Sequence, residues 1–296
     1  MEQTFVQRFI KHKLAMISLI VLFILILLSV LAPLFSKIFN LDYKEIDLEK
    51  CFLHPSSKHI FGTDDLGHDL FIRMLYGGRV SLSVALVSAL ISTFIGVVIG
   101  IISGYYAGLI DEVIMRFVDT MLSLPVLAIM ILLSMIDIVN VLRISFLATI
   151  INPDILKIII IIVIFGWMGV ARIVRGCTLS IRETEYIEAI RASGQQDIFI
   201  IFRHILPNVL APAIVAATLQ VGGVIISEAV LSYLGLGIQP PTPSWGNILQ
   251  RAQEYVILGK GYLLAFLPGF FIFITVTAFN FLGDGLRDTL DVKTKI

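Results

Sequence analysis

Apolar positions in this chain come in long blocks rather than in the alternation of a strand. Residues 14–36, 80–110, 120–136, 158–171, 206–227 and 261–283 contain no Asp, Glu, Lys or Arg. A helix crosses a bilayer with about 20 mostly apolar residues. The block at 158–171 is short, but Lys157 and Arg172 at its ends can snorkel to the two interfaces. The pattern predicts six spanning helices, near 14–36, 80–104, 113–136, 155–173, 208–232 and 262–283. Barrel strands would be about ten residues long with alternating polarity, and no block alternates. A seventh uncharged run, 229–250, holds Gly235, Gly237, Pro240, Pro241 and Pro243. Proline at that density cannot keep a helix bonded in lipid, so most of this run reads as loop, with Trp245 an interfacial anchor. The first block follows Arg8, Lys11 and Lys13, as a secretory signal would. It is too long for a signal core and no A-x-A-like site closes it, so it reads as an uncleaved anchor.

Composition agrees with the pattern. Of 296 residues, 57% are hydrophobic and only 15% charged, against roughly 25% charged in a soluble domain. That excludes an ordinary globular or disordered chain. Lys+Arg and Asp+Glu are 22 each, which leaves no basic footprint for nucleic acid. The basic residues then set the orientation. Arg8, Lys11 and Lys13 precede span one, and Arg287, Lys293 and Lys295 follow span six. Arg172, Arg175, Arg182, Arg191 and Arg203 lie between spans four and five. All three segments fall on one face, which reads as cytoplasmic and holds both termini. The segment from Lys37 to Arg79 dissents with six Lys/Arg, accompanied by seven acids. Cys51 and Cys177 fall on opposite faces and cannot pair.

Polar residues inside the blocks give packing and pathway candidates. Ser88, Ser92, Gly96, Gly100, Gly104 and Gly108 recur every four residues. They form a small-residue ridge on one helix face, suited to close approach of another helix. Arg116 and Asp119, three apart, are placed to pair; Glu228 and Asp284 lie near span ends. No ladder of ionisable residues crosses the membrane, which argues against a carboxylate relay and for an outside energy source. Ser123, Ser134, Thr218, Gln220, Thr275, Thr277 and Asn280 can line a pathway or equally satisfy nearby backbone.

The polar stretch 174–207 between spans four and five is the most informative. Ser180/Glu183 and Ser193/Gln196 match capping boxes. They predict helices at about 181–192 and 195–205, with Gly194 at the turn. Such a hairpin either lies on the lipid surface or docks a soluble partner. Glu188-Ala189-Ile190, Gly194 and Leu206-Pro207 resemble the EAA loop of ATP-binding-cassette importer permeases. Ile190 departs from the third small residue, and His204 occupies a hydrophobic place. Arg203-His204-Ile205-Leu206-Pro207-Asn208 has the form found in the oligopeptide, dipeptide and nickel branch. Three further stretches are similar to that branch: Phe61-Gly62-Thr63-Asp64-Asp65-Leu66-Gly67-His68-Asp69 with Gly77 to Leu82, Ser227 to Gly246, and Asn280 to Asp291.

The resemblance implies an all-α integral membrane protein with the type I ABC importer permease (MetI-like) fold and an extra N-terminal anchor helix. Residues 1–79 would hold the anchor and an external segment, and 80–291 the permease core. It implies a C-type subunit working with a homologous B-type permease, two cytoplasmic ATPases carrying ATP and Mg, and an external solute-binding protein. The cargo would be di- or oligopeptides, with nickel or a nickel chelate as the alternative. The setting would be a bacterial or archaeal cell membrane. Glu185, Glu188, Ala189, Arg191, Ala192, Gly194, His204, Leu206 and Pro207 would form the ATPase-docking loop. No G-x-x-x-x-G-K-[ST] loop occurs, so ATP hydrolysis falls to a partner. No H-E-x-x-H motif or nucleophile–base pair supports an intramembrane enzyme. A stand-alone channel or secondary transporter is the third reading. His68, with His54 and His59 in the same segment, reads as a hydrogen-bonded surface turn. Metal-ligand spacing is lacking.

Overall fold

The computed structural model describes residues 5–142, 146–257 and 261–290. Lys293, Lys295 and Asp291, used above for orientation and resemblance, lie outside the described residues. In chain order the helices are α1 (Phe5–Lys11), α2 (Lys13–Val30), α3 (Ala32–Phe39), α4 (Leu70–Tyr106), α5 (Gly108–Ser123), α6 (Val126–Ser134) and α7 (Ile138–Val141). They continue with α8 (Pro153–Arg182), α9 (Glu185–Ala192), α10 (Asp197–Ile200), α11 (Leu206–Tyr233), α12 (Trp245–Ile257) and α13 (Tyr262–Leu290). A π-helical turn, Ile201–Ile205, joins α10 to α11 without a break. No strand forms among the described residues; Thr63 and Asp69 make one isolated bridge.

Among the described residues five helices are long and apolar enough to cross a membrane, six if the bent pair α5 and α6 counts as one span. The uncharged blocks marked where lipid is met, not where helices end. α4 has 37 residues, about 55 Å at 1.5 Å per residue, and overshoots a core of about 30 Å. It starts at Leu70 rather than near 80 because Asp69 caps it, its carboxylate accepting from Ile72 N at 2.8 Å. α8 runs on to Arg182, well past the expected end near 173. The third span is broken, not continuous over 113–136. Pro125 holds Leu124 extended, and α5 and α6 meet at 82°. The anchor is broken too, since α2 ends at Val30 and Pro33 starts α3.

The loop reading of 229–250 holds only for its middle. α11 extends to Tyr233 and α12 begins at Trp245. Trp245 is no interfacial anchor. It is 1% exposed, and its indole N–H donates to the Met74 carbonyl at 3.1 Å. The ring lies against Gly78, where an added Cβ would meet it at 2.9 Å. The paired glycines of α4 are the space Trp245 occupies.

The core lies between α4, α8, α11 and α13, closed outside by α12. The ridge faces α8. A Cβ on Gly96, Gly100 or Gly104 would come within 2.8 Å of the carbonyl oxygens of Trp167, Ala171 and Arg175. Ser88 and Ser92 are buried on the same face, and Gly166 of α8 sits against Ser92. Gly108 is not in the ridge: α4 has ended, and it opens α5 with φ +56 and nothing near it. Leu90 and Phe94, elsewhere on α4, are exposed and line an apolar groove.

Candidate coupling hairpin

Residues 183–205 join α8 to α11 as a short hairpin. Neither expected capping box forms. Ser180 is still inside α8. Thr184 precedes α9 without a side-chain cap, and Ser193 Oγ donates back to the Ile190 carbonyl. The turn instead relies on Gly194, at φ +84, a left-handed backbone that glycine adopts without a Cβ penalty. The second arm is α10 and the π turn, continuous with α11, so it is the start of a span rather than a separate helix.

α9 is amphipathic. Ile187 is fully buried, with Ile200 and Ile205 of the other arm, against Val170, Val174, Ile101 and Tyr105. Ile190 packs on the same cluster, which accounts for a large residue where the resembled motif has a small one. Glu185, Glu188, Ala189, Arg191 and Ala192 are exposed, as are Gly194 and Pro207. His204 and Leu206 are half-buried. The His204 ring lies edge-on to Phe199 and Tyr186, centroids 5.8 and 6.3 Å apart. α9 therefore presents Glu185, Glu188, Ala189 and Ala192 over an apolar underside, while Tyr186, Ile198, Phe199 and Phe202 leave large apolar side chains exposed on the same hairpin.

The arginines below it are engaged. Arg175 pairs with Asp111 and Arg172 with Asp119. Arg116 pairs with Glu112 at 2.8 Å, one turn back, and not with Asp119 as its spacing suggested. Tyr105 Oη donates to Asp197 Oδ1 at 2.6 Å. Glu188 makes no ion pair or side-chain hydrogen bond among the described residues.

Two polar knots at the opposite end were not legible beforehand. His68 does not sit in a surface turn; it is buried. Its Nδ1 lies 2.8 Å from Asp64 Oδ2 and 2.8 Å from Arg73 Nη1, and Arg73 donates to Asp64 at 3.2 Å. Burial pushes the Asp64 carboxyl up, but the His68 hydrogen bond and the Arg73 charge outweigh it and hold it below the usual range. Asp65 pairs with Arg251 of α12 at 3.2 Å. His59 and Asp69 form a second buried pair at 2.9 Å. Among the described residues no group of three or more His, Cys, Asp or Glu is placed to hold a metal. Glu228 belongs to the other knot. Fully buried, it accepts from Ser81 Oγ at 2.9 Å and Ser232 Oγ at 2.7 Å, and Ser81 Oγ accepts from Trp245 N. The i, i+4 spacing of Glu228 and Ser232 was the available signal.

Most of the pathway candidates bond to backbone carbonyls. Ser123, Ser134, Thr218 and Thr275 each donate to a carbonyl three or four residues back. Gln220 reaches the Gly166 carbonyl at 3.0 Å and ties α11 to α8. Asn280 is exposed on α13. A large apolar groove of about 1030 Å³ runs between α4 and α11, with Thr218 in its wall.

Known proteins match this arrangement. Residues 96–296 fit the family described as binding-protein-dependent transport system inner membrane component. Residues 3–55 fit the N-terminal transmembrane domain of oligopeptide transport permease C. The dipeptide transport system permease protein DppC of Alkalihalophilus pseudofirmus is 39% identical over 96% of this chain and 88% of its own. The oligopeptide transport system permease protein OppC of Escherichia coli is 41% identical over 98% of this chain and 90% of its own. Among solved structures, a chain of the MetNI methionine ABC transporter superposes with a TM-score of 0.53 at 21% identity. That match covers 73% of this chain and 95% of the other, and concerns the fold. With a helical fold of five to six apolar spans and both matches in register, the chain belongs to the family of binding-protein-dependent transport system inner membrane components.

Proposed function

We propose that this chain forms half of the translocation pathway of a peptide importer. A homologous B-type permease supplies the other half. An external binding protein delivers the peptide, and two cytoplasmic ATPases, which carry ATP and Mg, dock on the hairpin. The termini and the hairpin lie on the cytoplasmic side, in a bacterial or archaeal cell membrane. The single observation that carries the docking role is the hairpin itself. It is a folded, exposed element held rigidly between two spans, with Glu188 free to meet a cation. Ala189 and Ala192 allow close approach. Closing of the ATPase pair would displace the hairpin and with it α8 and α11. A small difference in contact energy between two states then suffices to move the bundle.

Peptide is favoured over nickel by the relatives, which are named for dipeptide, oligopeptide and glutathione transport. The test is uptake in a strain deleted for this chain and complemented with it. Labelled di- and oligopeptides should accumulate and labelled nickel should not; the reverse overturns the substrate reading. Flux of peptide through the purified chain alone in liposomes would overturn the importer reading in favour of a channel or secondary transporter.

A further inference from the structure

The hairpin is covalently continuous with α8 and α11 only. How its displacement reaches α4, the longest helix of the bundle, is not given by chain continuity. We propose that Tyr105 is the positioning residue that ties both arms of the hairpin to the inner end of α4. This rests on the hairpin being the ATPase-docking element.

Tyr105 is the penultimate residue of α4 and is 3% exposed. Its hydroxyl donates to Asp197, the first residue of α10, at 2.6 Å and 92 residues away in sequence. Its ring carries the Arg191 guanidinium of α9, 5.2 Å from the centroid, within the range of a cation–π contact. The same ring packs in the cluster of Val174, Ile187, Ile200 and Ile205. One side chain thus contacts both hairpin arms, inside a cluster that includes residues of α8 and the π turn. By contrast, the hairpin hydroxyls of Thr184 and Ser193 bond only within their own turns. α4 in turn is locked to α8 along the ridge. The hairpin thus reaches α4 by two routes, through α8 along the ridge and directly from both arms through Tyr105.

Tyr105→Phe isolates the claim. Phe keeps the ring, its packing and the Arg191 contact, and Asp197 is exposed, so water satisfies it once the hydroxyl is gone. The fold should survive, as an unchanged melting temperature would show. The assembled transporter in proteoliposomes, supplied with its binding protein and labelled trialanine, then gives peptide moved per ATP hydrolysed. Tyr105→Phe should lower that ratio at least about fivefold, the lower end of typical coupling effects, with ATPase binding unchanged. Asp197→Ala should do the same, and the double variant should be no worse than either. Asp197→Asn, whose amide oxygen still accepts, should restore most of the ratio. A wild-type ratio in Tyr105→Phe overturns the proposal. So does a loss of transport that tracks a loss of melting temperature or of ATPase binding, since that is a merely structural role. A control cross-link from Glu188→Cys to the ATPase separates the underlying reading. If the otherwise wild-type chain gives none, docking on the hairpin fails first and this proposal with it.

Discussion

The two ends of this bundle, outer and inner in the orientation proposed above, both carry acids and bases, and they treat them in opposite ways. At the outer end Asp64, His68 and Arg73 are buried within hydrogen-bonding distance of one another, and Asp65 reaches α12 through Arg251. On the hairpin, Glu185 and Glu188 stand in solvent, Arg191 is exposed over the Tyr105 ring, and the apolar underside is buried. A buried ion costs several kcal/mol unless paired, so the outer knot pairs its charges internally, although Arg73 Nε and Asp65 Oδ1 find no partner among the described residues. An exposed charge costs almost nothing to leave unpaired, so the hairpin can hold its charges for another molecule. The comparison teaches that burial separates a structural polar cluster from a docking one, even where residue types are alike.

The largest break in the comparison comes from the outer end. Arg73→Met leaves Asp64 buried without its cation, and should destabilise the protein by about 3–5 kcal/mol. Thermal unfolding in detergent would show it. Because the Asp64 carboxyl is held below its usual value, its stabilisation is present above the unfolded value and is lost as pH falls through the lower folded one. The wild type should keep this contribution at neutral pH and lose it only below about pH 4. In Arg73→Met the folded value rises towards or past the unfolded one, so this acid-dependent loss should shrink or change sign, because the main opposing charge is gone.

Next is the underside of the hairpin. Ile187→Ala removes a fully buried side chain from the inner cluster and should cost about 2–4 kcal/mol. The loss is local, so amide exchange over 185–205 should quicken more than exchange in α4 or α13. Equal acceleration everywhere would mean that the hairpin is not a separable unit. A smaller effect is expected in Trp245→Phe, which removes the indole N–H and leaves the Met74 carbonyl with only its helix partner. That change should cost about 1–2 kcal/mol by the same melting assay, and less if a water replaces the donor.

These regions also differ in how far the sequence disclosed them. The spans were legible because lipid imposes uncharged blocks about 20 residues long. Their ends were not, because helix continues into water wherever caps and packing allow, as at Asp69 for α4 and past Ala171 for α8. The break at Pro125 lies inside an uncharged block, where hydropathy carries no sign of a bend. α12 was hidden by the prolines before it, although Trp245, buried against Gly78, explains both the glycines and the helix. The exposed face of the hairpin was visible as a motif. The position of Ile190 in the buried cluster was not, since a departure from a pattern does not say which way the side chain points. The outer knot was hidden for the same reason: Asp64, His68 and Arg73 are near in sequence, but their burial depends on α12, arriving from almost 180 residues later.

The smallest expected change in stability falls where the largest change in transport is expected. Glu188→Lys reverses a charge on the exposed face of α9 and touches no partner within the described residues. Surface substitutions of this kind stay within about 0.5 kcal/mol, and a modest dipole penalty in the first turn of α9 does not exceed that range. Melting, membrane abundance and hairpin amide exchange should therefore match the wild type. Peptide uptake should nevertheless fall to background, because a lysine would face the cationic groove proposed to receive Glu188. Gly194→Leu gives a second reading of the same face. The turn needs φ +84, so this variant should loosen the hairpin and lose uptake with a measurable change in exchange. If Glu188→Lys lowers stability as Arg73→Met does, the two ends are not different in kind. If it leaves both stability and uptake intact, the exposed face of α9 is solvated surface and the docking contact lies elsewhere on the inner side.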